Sequence, residues 1–229
     1  LHALIPDLFN VKNIYGNTPT HFAASAGNTE SIKALFKLKP HQFGKKDTNG
    51  YTPTHIAVLR CQTETIKALF KLNNDLFKIE DNHGYTPAHL AAALGHPETI
   101  KVLFELSPSL LNAQDTMGNT PVHEAASEGR TDVIKTLCEL NKNFLNKKNN
   151  IGSPPTHYAA KYGHIETLKF LYRFNRKLLS KVNKKGWDPV HEAAGNGQAE
   201  TLDALHQLNP DLLSEKTSRG LTLADIAAA

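Results

Sequence analysis

Gly84-Tyr85-Thr86-Pro87-Ala88-His89-Leu90-Ala91-Ala92 decides the reading of this chain, because the same text returns at a fixed interval. It is preceded by Gly16-Asn17-Thr18-Pro19-Thr20-His21-Phe22-Ala23-Ala24 and Gly50-Tyr51-Thr52-Pro53-Thr54-His55-Ile56-Ala57, and followed by Gly118-Asn119-Thr120-Pro121-Val122-His123-Glu124-Ala125-Ala126. The glycines at 16, 50, 84, 118, 152, 186 and 220 are 34 residues apart. Two later copies drift, to Ser153-Pro154-Pro155-Thr156-His157 and Trp187-Asp188-Pro189-Val190-His191; the last, Leu221-Thr222-Leu223-Ala224-Asp225, has lost both proline and histidine. A fixed period of this length marks a repeat architecture, in which each unit is too small to bury its own apolar face.

Inside each module, threonine before proline predicts a helix start: threonine caps, and proline at the first helical position has no N–H to leave unpaired. A turn follows, marked by Gly27, Gly95, Gly129, Gly163 and Gly197. The second helix carries its apolar residues at helical spacing, as in Ile66, Leu69, Phe70 and Leu72, with Glu64 and Lys67 on the outer side. Helices this short are unstable alone, so the modules must stack as a quasi-one-dimensional array. The columns Leu35, Leu69, Leu103, Leu137, Leu171 and Leu205 are the clearest candidates for its core.

Gly-x-Thr-Pro-x-His-x-Ala-Ala, a glycine turn and a leucine-rich second helix resemble the ankyrin repeat, over essentially the whole chain. The resemblance implies an all-α solenoid of stacked helix-turn-helix modules with short β-hairpin or turn fingers. One departure is consistent. Ankyrin repeats usually have 33 residues, whereas these have 34 and close with Asn73-Asn74-Asp75-Leu76-Phe77, Ser107-Pro108-Ser109-Leu110-Leu111 or Asn209-Pro210-Asp211-Leu212-Leu213. The extra apolar pair is expected to pack beneath the link to the next finger. Such a link is similar to those of some plant ankyrin proteins and of secreted effectors of intracellular bacteria. The expected organisation is one ankyrin domain over 1–229, with a partial repeat 1–15, full repeats 16–49, 50–83, 84–117, 118–151, 152–185 and 186–219, and a partial repeat 220–229. Both ends fall inside a module, so the expectation is a segment of a longer protein.

Of 229 residues, 40% are hydrophobic and 21% charged, which excludes a disordered chain. No run approaches the ~18 apolar residues of a spanning helix, so membrane insertion is not expected. Leu1-His2-Ala3-Leu4-Ile5-Pro6 lacks the basic region and cleavage site of a secretory leader. Two cysteines, Cys61 and Cys138, are too few for a disulfide framework and fit a reducing compartment. Together with the resemblance this implies an intracellular protein, cytoplasmic, or in a host cytosol if it is a secreted effector.

Catalytic and metal chemistry find no foothold, and no cofactor is expected. Six of the twelve histidines, His21, His55, His89, His123, His157 and His191, share one module position. In the resembling family that residue hydrogen-bonds within and between neighbouring Thr-Pro turns. His123-Glu124 and His191-Glu192 lack the second histidine of a zinc-protease helix, because Ser127 and Gly195 stand in its place. Cys138 falls in a packing column with Phe36, Phe70, Phe104 and Tyr172. Cys61 replaces the turn glycine, where an exposed thiol and some backbone strain are expected. No glycine pattern follows a phosphate-binding fingerprint.

What the repeat leaves free is therefore the most informative. The resemblance places the residues around the finger glycine and at the end of the first helix on a concave binding face. At those positions stand Tyr15, Tyr51, Leu59, Arg60, Tyr85, Leu94, Met117, Ile151, Lys161, Tyr162, Lys184, Lys185 and Trp187. They include four of six tyrosines and the only tryptophan and methionine, the side-chain types that anchor protein interfaces. Charge is uneven. The net charge is +4 overall, +7 in module 152–185 and −4 in 186–219. A nucleic-acid surface would extend over several modules, which disfavours that ligand. The expected function is a non-catalytic, monomeric module binding a protein or peptide with an acidic region. The alternative is the targeting arm of an enzyme whose catalytic domain lies outside these residues.

Overall fold

The computed structural model describes residues 11–214, 217 and 220–227, and these are helical with no strand among them. First helices begin at the expected prolines: α1 (Pro19–Ser25), α3 (Pro53–Leu59), α5 (Pro87–Leu94), α7 (Pro121–Ser127), α9 (Pro155–Lys161) and α11 (Pro189–Gly195). Second helices are α2 (Thr29–Leu38), α4 (Thr63–Leu72), α6 (Pro97–Leu106), α8 (Thr131–Leu140), α10 (Ile165–Phe174) and α12 (Ala199–Leu208), and α13 (Leu223–Ala227) comes last. None of the described helices is long and apolar enough to cross a membrane.

The fingers, open in sequence between hairpin and turn, are turns. In the second finger Gly50 N–H donates to the Asp47 carbonyl at 3.1 Å and Asp47 N–H to the Tyr51 carbonyl at 2.9 Å. Gly50 sits at φ +84°, and a Cβ there would lie 2.4 Å from the Asn82 backbone nitrogen, so glycine is required twice over. Cys61 is the one described residue other than glycine at positive φ, +53°, and it is exposed, as its place in the turn predicted.

The 34-residue period has a structural basis in the links. Each second helix runs into a short 3-10 turn, Pro40–Gly44, Asn74–Lys78, Pro108–Asn112, Lys142–Asn146, Arg176–Leu178 or Pro210–Leu213. Several start on an asparagine whose carboxamide oxygen accepts the N–H two residues on, as Asn73 does from Asp75 at 2.9 Å. The turn points its apolar pair inward: Leu76 and Phe77, Leu110 and Leu111, Phe144 and Leu145, and Leu178 and Leu179 are buried. Phe43 and Phe77 meet Phe36 and Phe70 of the helix before them, with ring centroids 5.2 and 5.4 Å apart.

Two compact units make up the chain: Leu1–Ala91 with Glu98–Asp115, and Ala92–Pro97 with Thr116–Ala229. In the first, α1 packs on α3 and α2 on α4; in the second, α7, α9, α11 and α13 follow one another, as do α8, α10 and α12. Leu69, Leu103, Leu137, Leu171 and Leu205 are completely buried, each contributing about 1.5–3 kcal/mol by leaving water. Leu35 departs from this expectation and is half-buried.

Candidate protein-docking face

The histidine column determines how finger and first helix are held. The Thr52 N–H donates to Nδ1 of His55 at 3.3 Å, and the same ring's Nε2 faces the Tyr85 carbonyl at 2.9 Å. A ring whose Nδ1 accepts must carry its proton on Nε2, so neutral His55 donates to the next finger. His21 does the same from Thr18 to the Tyr51 carbonyl, at 3.2 and 2.9 Å. Burial lowers the pKa of both rings against the partial compensation of those carbonyls, which keeps them neutral donors. The column is a set of rivets, as the resemblance implied.

Two modules alter the rivet. Pro154 replaces the capping threonine, so His157 still reaches the Trp187 carbonyl at 2.8 Å but its buried Nδ1 has no partner. Burial drives its pKa down to about 4. In the last full module Asp188 takes the capping place, and its Oδ1 lies 2.7 Å from Nδ1 of His191.

On the face these rivets support, the first unit carries Tyr15, Tyr51, Leu59, Arg60 and Tyr85. Tyr15 is exposed, and its carbonyl holds the neighbouring finger through Thr48 N–H at 3.1 Å. Tyr51 and Tyr85 are half-buried, each ring stacked on the histidine of its own module with centroids 5.9 and 5.8 Å apart. Part of their aromatic character therefore serves the module itself. Leu59 is half-buried and Arg60 exposed.

The second unit carries the remaining candidates. Met117, Ile151 and Tyr162 are 56%, 44% and 46% exposed, while Leu94 and Trp187 are half-buried. Lys161 extends over the Tyr162 ring and Lys185 over the Trp187 ring, both 5.2 Å from the centroid. Lys184 is exposed and donates to the Asn150 carbonyl at 2.7 Å.

Two residues of this face, Glu192 and Asn149, escaped the sequence reading, whereas Gly195 stands at the end of a first helix, where the resemblance places the face. Glu192 is half-buried and accepts from Asn183 at 2.9 Å; burial raises its pKa, opposed by the charges of Lys161 and Lys185. Part of the basic strip is thus balanced from within. Asn149 ties Asn119 and Tyr158 together through its amide nitrogen, at 2.9 Å to each. Gly195 leaves room for Trp187, whose ring would lie 3.1 Å from a Cβ there. Glu192 had no signal in the sequence, because its burial depends on neighbours 9 and 31 residues away.

Chemistry beyond binding is not supported by the other candidates. Burial pushes the Cys138 thiol up to about 12, far from nucleophilic. Cys61 and Cys138 are both free, and among the described residues no three His, Cys, Asp or Glu gather as a metal site would require.

The family model of ankyrin repeats matches three times, over residues 1–79, 72–149 and 140–216. Among solved structures, the ankyrin repeat domain of Bcl-3, a unique member of the IkappaB protein family, is similar with a TM-score of 0.73 and 22% identity, over 93% of this chain and 95% of that one. The human ASB11 ankyrin repeat domain gives 0.67 and 23%, over 92% of each. No curated protein sequence matches.

Proposed function

Because the chain belongs to the ankyrin-repeat family, whose domains bind protein partners and are generally non-catalytic, we propose that it docks a protein or peptide along the finger and first-helix face of its units. The observation carrying this reading is the exposure of Tyr15, Met117, Ile151 and Tyr162 at positions where the module imposes no residue type. An exposed aromatic has a solubility cost that the fold does not require. Lys184 and Lys185, both exposed, favour an acidic stretch in the partner. The link sequences support a place among intracellular ankyrin proteins, secreted bacterial effectors included.

The test is affinity capture from lysate followed by titration of the captured protein. Tyr162→Ala and Trp187→Ala should each weaken binding by about 2 kcal/mol or more if they are anchors, with thermal midpoints nearly unchanged. Charge reversal at Lys184 and Lys185 should slow association and flatten its salt dependence. The opposite side offers the contrast. There α2 and α4 enclose a groove of about 350 Å3 lined by Lys33, Lys37, Lys67 and Lys71. Loss of binding on Lys37→Glu and Lys71→Glu, with the finger-face variants normal, would overturn the assignment.

A further inference from the structure

The positive charge of module 152–185 does not lie on the finger face alone. Between Lys142 and Lys185 the only acid is Glu166, which pairs with Lys169 at 2.8 Å in the first turn of α10. The far end of α10 and the two neighbouring links carry a separate cluster. It comprises Lys147 and Lys148 behind α8, Arg173 in the last turn of α10, and Arg176, Lys177 and Lys181 behind α10. All are exposed except Lys181, which is half-buried. Among the described residues none of the six forms an ion pair.

Hydrogen bonds hold the two links side by side. The Lys148 ammonium donates to the Val182 carbonyl at 3.4 Å, and the Lys181 ammonium donates to the Asn146 carboxamide oxygen. The fold does not require this charge: the link Pro108–Asn112 has no cation, and Lys78 in Asn74–Lys78 is paired with Asp75 at 2.7 Å. Two apolar side chains stand exposed among the cations. Phe174 is 44% exposed, where Leu72, Leu106 and Leu140 hold the same place in other modules and are half-buried. Val182 is 49% exposed, where the other modules have Glu80, Gln114 and Lys148.

We propose that this strip, from Lys147 to Val182, is a docking surface for an anionic phospholipid bilayer, with its cations among the headgroups and Phe174 at the acyl boundary. Clustered Lys and Arg with an exposed aromatic beside them are what a negatively charged bilayer surface attracts. None of the described helices is long and apolar enough to cross a membrane, so the contact is one of surface. A protein is the poorer occupant, because lysine is depleted in protein interfaces and four of the six cations are lysine. A nucleic acid is poorer too, since its phosphates need a longer basic track. Here the track stops at the following link, where Asp211 shares a cleft of about 230 Å3 with Arg176 and Lys177.

The test is flotation of the full chain with vesicles of equal parts phosphatidylserine and phosphatidylcholine, against vesicles of phosphatidylcholine alone. The chain should float with the anionic vesicles only and be released by high salt. Lys147→Gln with Lys177→Gln should lower the partition coefficient roughly thirtyfold, about fivefold for each cation. Phe174→Ser keeps the charge and should weaken binding several-fold. Lys37→Gln with Lys71→Gln removes the same charge from α2 and α4 and should leave binding unchanged. Every changed residue is exposed, so the helical circular dichroism should be that of the parent. Absence of flotation, equal flotation with phosphatidylcholine alone, equal loss in both lysine pairs or full binding by Phe174→Ser would overturn the proposal. So would tighter binding of a fluorescein-labelled oligothymidylate through Lys147 and Lys177, which would assign the strip to nucleic acid. The strip uses no finger-face residue, so Tyr162→Ala and Trp187→Ala should float normally, and the two readings fail separately.

Discussion

A single missing methyl group illustrates how finely the second unit's face is set. Gly195 ends α11 without needing a positive φ, so its backbone would accept alanine, and alanine is the better helix former by up to about 1 kcal/mol. Against that gain, a Cβ would stand 3.1 and 3.2 Å from the far edge of the Trp187 ring. The ring is half-buried and at the end of a side chain, so it moves before the backbone does. Gly195→Ala is therefore expected to shift the emission of the only tryptophan to longer wavelength, with a stability change below about 1 kcal/mol. Unaltered fluorescence would show that Trp187 does not lean on this position. Glu192 is the converse case, a buried acid on a first helix that no local pattern distinguishes from an exposed one.

At the scale of the element, the first helix is a capping device with histidine at its third position. Thr18, Thr52 and Thr120 all complete reciprocal boxes with His21, His55 and His123, and Asp188 does so with His191. Pro154 breaks the box of α9, leaving Nδ1 of His157 without a donor. Pro154→Thr restores a backbone N–H and a hydroxyl to a buried acceptor, a gain of about 1–3 kcal/mol. It gives up the stiffening of the unfolded chain by proline, about 0.4–1 kcal/mol. The hydrogen bond is the larger quantity, so the variant should unfold at higher denaturant concentration with an unchanged slope. A lower midpoint would mean that position 154 cannot deliver its N–H to the ring.

Across the whole molecule the repeated burial of neutral histidine should appear as a pH dependence. His21, His55 and His157 have pKa values lowered chiefly by desolvation, the last to about 4. In the unfolded chain they take up protons near pH 6.5. Their contribution is thus complete above about 6.5 and is lost as pH falls toward about 4. Glu192 opposes this: its raised pKa lets the folded state hold a proton more tightly, which favours folding as pH falls through its folded value. Three groups outweigh one, so the thermal midpoint should drop between pH 7 and 4.5, and Glu192→Gln should deepen the drop. A flat profile would show that the rings protonate without disturbing the rivets. The period of 34, the Thr-Pro starts, the glycine turns and the leucine column could all be read from the chain alone, because a repeat fold sets one residue type against one geometry at each position. The apolar pair beneath each link was legible for the same reason. What tertiary structure alone decided is the state of the positions the repeat leaves open. Tyr51 and Tyr85 turn out to stack on their own histidines, Lys161 and Lys185 to face Glu192, and Asp81 to keep an unpaired oxygen where Asn149 and Asn183 are satisfied. Those outcomes depend on which side chains packing brings together, some within a module and some from the next, at positions where residue type varies and periodicity carries no information.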